Sequence, residues 1–239
     1  MVLSHPVAQA APPAPAGLDI VYADDALIVL DKPSGLLAVP GRGEDKQDCL
    51  STRVQQHYPD ALIVHRLDMA TSGLMLMARG TAAQRVLSRA FAGREVHKRY
   101  VAVVDGRLAP PPDTPDGWGL IDLPIAVDWP RRPLRIIDQE RGKPSLTRWR
   151  VLPDDARRHA PAYNDAAIAT RIELEPVTGR SHQLRVHLQA LGHPILGDTL
   201  YAGPADRARA GRLLLHACAL RLCHPETGHV LAFESRPPF

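Results

Sequence analysis

Cysteine is scarce in this 239-residue chain: only Cys49, Cys218 and Cys223 occur. An odd, sparse set builds no disulfide framework, and reduced thiols in a cytosolic protein are the simple reading. No apolar run approaches the roughly 18 to 20 residues that a membrane helix needs, so no membrane partner is expected. The start, Met1 to Gly17, is rich in Ala and Pro. It lacks the basic, leucine-rich pattern of a signal segment, and it reads as a disordered tail of a cytoplasmic protein. There is no GxGxxG and no GxxxxGK[ST], so nothing points to a nucleotide cofactor. There is no internal repeat. Net charge is also small, at +3, which by itself does not argue for nucleic acid.

What is present is 45% apolar residues, enough for one sizeable core or two lobes sharing one. The positive charge is unevenly placed. Residues 131–150 carry Arg131, Arg132, Arg135, Arg141, Lys143, Arg148 and Arg150 against Asp138 and Glu140. Residues 85–107 carry Arg85, Arg89, Arg94, Lys98, Arg99 and Arg107 against Glu95 and Asp105. Such patches can neutralise phosphates, or can be solvated mixed-charge surface.

Residues 18–31 read as strand, turn, strand, with the turn at Asp24-Asp25. A short helix fits Cys49 to His57, and Leu74 to Ala78 reads as a buried strand. Ala83, Val86, Leu87, Ala90 and Phe91 recur at helical spacing, with Arg85 and Arg89 on the other face. Residues 98–104 read as a strand, 109–118 as a Pro-rich loop, and 131–150 as a hairpin crossing between lobes. In 167–175, Ile168, Thr170, Ile172 and Leu174 alternate with Arg171, Glu173 and Glu175, which predicts a strand with one polar face. Gly179 opens a predicted helix with Leu184, Leu188 and Leu191 as its apolar stripe. Residues 212–223 and 229–234 read as a closing strand pair. Many strands and few helices predict an α+β fold with a largely antiparallel sheet.

Two polar clusters stand out. His65-Arg66-Leu67-Asp68-Met69-Ala70-Thr71-Ser72-Gly73 places an acid, a base, a guanidinium and two hydroxyls between two apolar runs. Asp68 could act there as nucleophile or base, or could simply fold an Asx-type turn. The second cluster runs from Thr178 to His187. Its His182, Arg185 and Gln189 share a helical face apart from the leucines. The helix N-terminus near Gly179 to Ser181 could hold a phosphate, or the segment could be an ordinary polar face.

HRLDxxTSG at 65–73 resembles the signature of the RluA-type pseudouridine synthases. Four further segments fit that family in order: Asp31-Lys32-Pro33-Ser34-Gly35-Leu36-Leu37 with Val39-Pro40-Gly41; Lys98-Arg99-Tyr100; Arg180 to His187 with Gly192 to Asp198; and Leu213 to Ala217. Asp128-Trp129-Pro130 and the Val39 segment resemble its dual-specificity members, which act on large-subunit ribosomal RNA and tRNA. The resemblance spans about residues 18–239. It implies a single catalytic domain of the pseudouridine synthase fold, a mixed sheet in two lobes with flanking helices and a central cleft, without a separate N-terminal RNA-binding domain.

The resemblance also implies roles. Asp68 is the catalytic aspartate, Arg185 its paired arginine, and Tyr100 the tyrosine that stacks on uracil and assists proton removal at carbon 5. Arg66 enters the space of the flipped nucleotide. His65, Thr71, Arg180 and His182 join it in RNA binding. No cofactor and no metal are implied, and a monomer is expected to act on a tRNA anticodon stem-loop or a large-subunit ribosomal RNA hairpin. Three alternatives stand beside this reading. One is a zinc site at His216, Cys218, Cys223 and His224, although its spacing fits no common zinc pattern. Another is a serine hydrolase using Ser72 with His65 and Asp68, although GxSxG is missing. The third is an RNA-binding module, although no RRM or KH signature is present.

Overall fold

The computed structural model describes residues 17–111, 114, 116–153 and 168–239. The Ala/Pro-rich tail up to residue 16 and part of the Pro-rich loop lie outside these residues. Along the chain the strands are β1 (Ile20–Ala23), β2 (Leu27–Lys32), β3 (Ala61–Ile63), β4 (Ser72–Arg79), β5 (His97–Asp105), β6 (Gly119–Asp122), β7 (Ile125–Val127), β8 (Arg135–Ile137), β9 (Leu146–Val151), β10 (Ala169–Pro176), β11 (Leu215–Cys223) and β12 (Val230–Glu234). The α-helices are α1 (Leu50–Gln55), α2 (Gly80–Ala92), α3 (Gln183–Ala190) and α4 (Pro204–Ala208).

Among the described residues, ten strands form one mixed sheet in the order β1-β2-β4-β11-β5-β10-β9-β6, with β3 on β4 and β12 on β11. Every named pair is antiparallel except β4 with β11. β2 and β4 are nearly continuous apolar runs because both of their faces are covered. Leu27 and Val29 join Leu74, Leu76 and Ala78 on one face, and Ile28 and Leu30 join Met75 and Met77 on the other. Helix α2 covers the first face with Ala83 and Leu87, and α1 the second with Leu50 and Val54. Each such buried leucine contributes about 1.5–3 kcal/mol. A separate core lies around β5, β10 and β9. Tyr100 packs against both this core and the β2–β4 core, so it marks the seam between the two halves of the sheet.

That seam needs a glycine. Gly73 has φ +110°, and a Cβ there would lie 2.3 Å from the Ala217 carbonyl oxygen. Only a glycine lets β4 leave the His65–Thr71 loop and pair at once with β11.

The structure differs from the sequence reading in four places. Residues 131–150 are not one hairpin. The hairpin is β7–β8, a two-stranded sheet of its own, and β9 belongs to the main sheet. The β7–β8 hairpin packs on α3 through Ile125 and Val186, and Tyr201 from the turn after α3 completes the cluster. The helix expected from Gly179 starts at Gln183, because His182 takes a left-handed conformation at φ 58° and acts as its N-cap. Ile168 precedes β10 and is 56% exposed, so it has no inward face to join. Glu173, expected on the polar face, is only 8% exposed. Arg150 donates to it at 2.7 Å, and Arg99 approaches to 3.5 Å. The arginines of the neighbouring strands cover the face that alternation assigned to water.

Candidate active site

The loop between β3 and β4 is shaped by its backbone. The Thr71 amide donates to the Asp68 carbonyl at 3.1 Å, closing a turn, and the Gly35 amide donates to the Met69 carbonyl at 2.8 Å. Ser34 Oγ donates to the Ala70 carbonyl at 2.7 Å. Lys32, fully buried, donates through Nζ to three carbonyls: Pro33 at 2.8 Å, Leu36 at 2.7 Å and Met69 at 3.1 Å. One ammonium thus joins the 33–36 turn to the Asp68 loop. Burial pulls the Lys32 pKa down to about 8, against the pull of Asp68 in the other direction.

His65 anchors the other end of this loop. Its Nε2 accepts the Leu76 amide at 2.9 Å, and its ring stacks on Phe91 at 4.5 Å. Burial, with Lys98 nearby, pushes the His65 pKa down to about 3. The ring is therefore neutral near pH 7 and carries its proton on Nδ1, since Nε2 accepts.

The opposite wall is built from α3 and the turn after it. The Arg185 guanidinium is 4% exposed. Its Nε and one terminal nitrogen donate to the two oxygens of Asp198, both at 2.7 Å. Its other terminal nitrogen donates to Asp68 Oδ2 at 3.2 Å. Asp198 is completely buried, and its Oδ1 also accepts the amides of Leu200 at 2.8 Å and Tyr201 at 3.1 Å. Burial alone weakens the charge of Arg185, but Asp198 and then Asp68 hold its pKa above the ordinary value. Gly197 makes this turn possible. It has φ +72°, and a Cβ there would sit 1.9 Å from the Arg212 carbonyl oxygen.

His182 stands between the two walls. Its Nδ1 lies 2.6 Å from Tyr201 Oη, and its Nε2 lies 3.9 Å from Asp68 Oδ2. Tyr201 Oη accepts the Arg135 amide at 2.9 Å, so its own proton points to His182 Nδ1. The neutral ring then carries its proton on Nε2, facing Asp68. Burial lowers the His182 pKa, although Asp68 opposes the shift. Burial, then the charge of Asp68, pushes the Tyr100 pKa up, so its hydroxyl stays protonated near pH 7.

Between the two walls lies a cleft of about 610 Å³. All eight residues singled out in the sequence line it: Asp68, Tyr100, Arg185, Arg66, His65, Thr71, Arg180 and His182. They are not equivalent. Asp68, Arg185 and His182 meet directly. Arg66 and Arg180 are exposed at the cleft, Thr71 is buried, and the Nε2 of His65 is committed to the chain. The phosphate position expected at Gly179 to Ser181 is altered, because the Gln183 side chain accepts the Arg180 amide at 3.0 Å. The sequence reading passed over Asp198, Tyr201 and the clamping role of Lys32. The buried aspartate followed by two amides it accepts could have been read as an Asx turn at 198–201.

The alternatives find other partners. Ser72 Oγ pairs with His216 Nδ1 at 2.8 Å rather than with His65, and accepts from Arg212 at 2.5 Å. It lines a different hollow from Asp68. His216 Nε2 meets Ser235 and His224 Nε2 meets Asp24, both at 2.9 Å. Among the described residues, no three His, Cys, Asp or Glu side chains gather as metal ligands.

Comparison with known proteins matches residues 26–190 to the family described as RNA pseudouridylate synthase. The dual-specificity RNA pseudouridine synthase RluA of Escherichia coli K12 is 48% identical over 228 residues, covering 95% of this chain and 97% of that one. The protein of the same name from Yersinia pestis is 47% identical over 220 residues, covering 92% and 99%. Among solved structures, human RNA pseudouridylate synthase domain containing 1 superposes with a TM-score of 0.73 at 29% identity, covering 96% of this chain and 87% of that one.

Proposed function

The chain belongs to the RNA pseudouridylate synthase family, as one of its RluA-type members, and within it we propose that Asp68 is the carboxylate that acts on the target nucleotide. The enzyme isomerises uridine to pseudouridine in RNA. The bond between N1 and the ribose breaks, the free base turns, and a bond forms from carbon 5. Carbon 5 loses a proton and N1 gains one, so composition and oxidation state are unchanged. The base must leave its stack to be reached.

The observation that carries the assignment is the 3.2 Å contact between Arg185 and Asp68 inside the cleft. Arg185 keeps the carboxylate ionised in a partly dry site. Asp68 then acts on the ribose, as nucleophile or as base. Tyr100, beside it, stacks on the uracil and assists loss of the carbon 5 proton to solvent by hydrogen bonding, its own hydroxyl staying protonated. Arg66 fills the space that the flipped nucleotide leaves; its planar guanidinium suits stacking and phosphate contact. Thr71, Arg180 and His182 hold the RNA around the site, and His65 serves it by fixing the loop. Arg185 depends on Asp198, a positioning residue.

The relatives are named dual-specificity enzymes, which supports two RNA classes here: a tRNA anticodon stem-loop and a large-subunit ribosomal RNA hairpin. The continuous sheet supports one catalytic domain over 18–239. One chain supplies all eight cleft residues, which supports a monomer, and an RNA substrate supports a cytoplasmic enzyme.

The test is tritium release from carbon-5-labelled RNA of both kinds, wild type beside Asp68→Asn. Wild type releases tritium and the variant falls to background while keeping its fold. A variant that turns over at the wild-type rate refutes the assignment.

A further inference from the structure

The chain has three tryptophans, and they are in opposite situations. Trp118 is 9% and Trp149 8% exposed, whereas Trp129 is 68% exposed. Trp129 sits in the turn of the β7–β8 hairpin, where a large apolar ring in water has no folding role to explain it. The Arg132 guanidinium carbon lies 3.5 Å from the centre of its ring. Among the described residues no carboxylate pairs with Arg132.

The turn that presents this pair is built, not loose. The Asp128 amide donates to the Leu134 carbonyl at 3.1 Å. The Asp128 side chain, itself buried, accepts from Arg131 Nε at 2.7 Å. The next residue of the hairpin is Arg135, whose amide donates to Tyr201 Oη, the hydroxyl that reaches His182 beside Asp68. Trp129 is two residue steps from Val127, the strand partner of Arg135, roughly 7 Å along the hairpin. The exposed ring therefore stands on the element that borders the active site. Arg131, Arg132 and Arg135 give this end of the hairpin a positive balance against Asp128 alone.

We propose that Trp129, backed by Arg132, is a stacking platform for an unpaired base of the RNA next to the flipped uridine. The inference rests on RNA being the substrate, and it adds a contact outside the cleft that selects RNA with an unstacked base near the target. An indole accepts any base face, so the platform reads openness of the loop more than its sequence. A protein partner would also use Trp and Arg. The arginine balance and the continuity with the cleft favour RNA.

Because the other two tryptophans are buried, iodide-accessible emission reports Trp129. On an anticodon stem-loop added to the Asp68→Asn protein, that emission is quenched and shielded from iodide, and Trp129→Phe in the same background abolishes the change. In the active protein, Trp129→Ala raises KM for the stem-loop about tenfold, and Trp129→Phe restores most of it. The melting temperature stays the same, as expected for an exposed side chain. An unquenched emission while filter binding shows the complex overturns the proposal, as does an unchanged KM, and a protein partner then becomes the reading of this surface. Quenching requires binding only, so an active protein that binds this RNA without turning it over counts against this RNA as a substrate, while the quenching still decides the platform.

Discussion

Asp68 and Arg185 face each other across the cleft, yet the two sides that hold them are built differently. The Asp68 loop is fixed through its carbonyls, which accept from Lys32, Ser34 and Gly35. Its carboxylate is left with Arg185 and the approach of His182. Arg185 is the reverse: its own side chain is locked by both oxygens of a fully buried Asp198. In the proposed mechanism, the group that must make and break contacts with substrate is therefore held by its main chain. A group that supplies a fixed charge is held by its side chain. Preorganisation of this kind leaves no reorganisation for the moment of reaction.

The comparison breaks most sharply at Asp198. Asp198→Asn leaves a buried guanidinium with one weakened partner, which costs about 3–5 kcal/mol of stability. Displacement of Arg185 by an ångström lowers kcat about 100-fold. Thermal melts and single-turnover rates measure the two losses. A variant with normal turnover would show that Asp68 alone positions Arg185.

The backbone-held side is expected to yield less. Lys32→Met removes the donor to three carbonyls but also removes a buried charge, so the net loss is about 1–3 kcal/mol. Turnover falls about tenfold as the Asp68 loop loosens, with KM little changed. The Lys32 pKa is lowered, from 10.5 to about 8, so in wild type the clamp loses its proton as pH rises past 8. An alkaline limb of kcat that Lys32→Met lacks would sharpen the contrast between the sides. The same limb in both proteins would remove Lys32 from the account.

The smallest effect is at the loop's other anchor. The folded pKa of His65 is depressed from 6.5 to about 3. Between these values the unfolded chain binds the extra proton, so stability rises with pH and is lost as pH falls from 6.5 toward 3. Urea melts at pH 7 and pH 5 show this slope in wild type. In His65→Gln, which retains an acceptor for Leu76, the slope is shallower.

Helix α2 and strands β2, β4 and β5 were legible because each local pattern agrees with its tertiary surroundings: a helical stripe, or an apolar run between covered faces. The hairpin of 131–150 was misread because strand pairing is a choice between partners, and charge does not encode which one is taken. His182 was misread as a helix residue because it takes a left-handed conformation, and its side chain pairs with Tyr201, 19 positions away. The polar face of β10 was misread because arginines from β5 and β9 roof over Glu173.

By itself, then, the sequence determined the strands and helices whose burial follows from spacing, and, through its resemblance to a known family, the eight residues that share the cleft. Tertiary structure alone decided how those residues are held. Asp68 and Arg185 are 117 positions apart, and the sheet order β4-β11-β5-β10 sets the strand that follows the Asp68 loop three places from the strand that leads to α3. Arg185 is aimed by Asp198, and Trp129 is set on the border of the site by the Arg135–Tyr201 bond. Each of these depends on a long-range approach that a side chain's own neighbours in sequence do not specify.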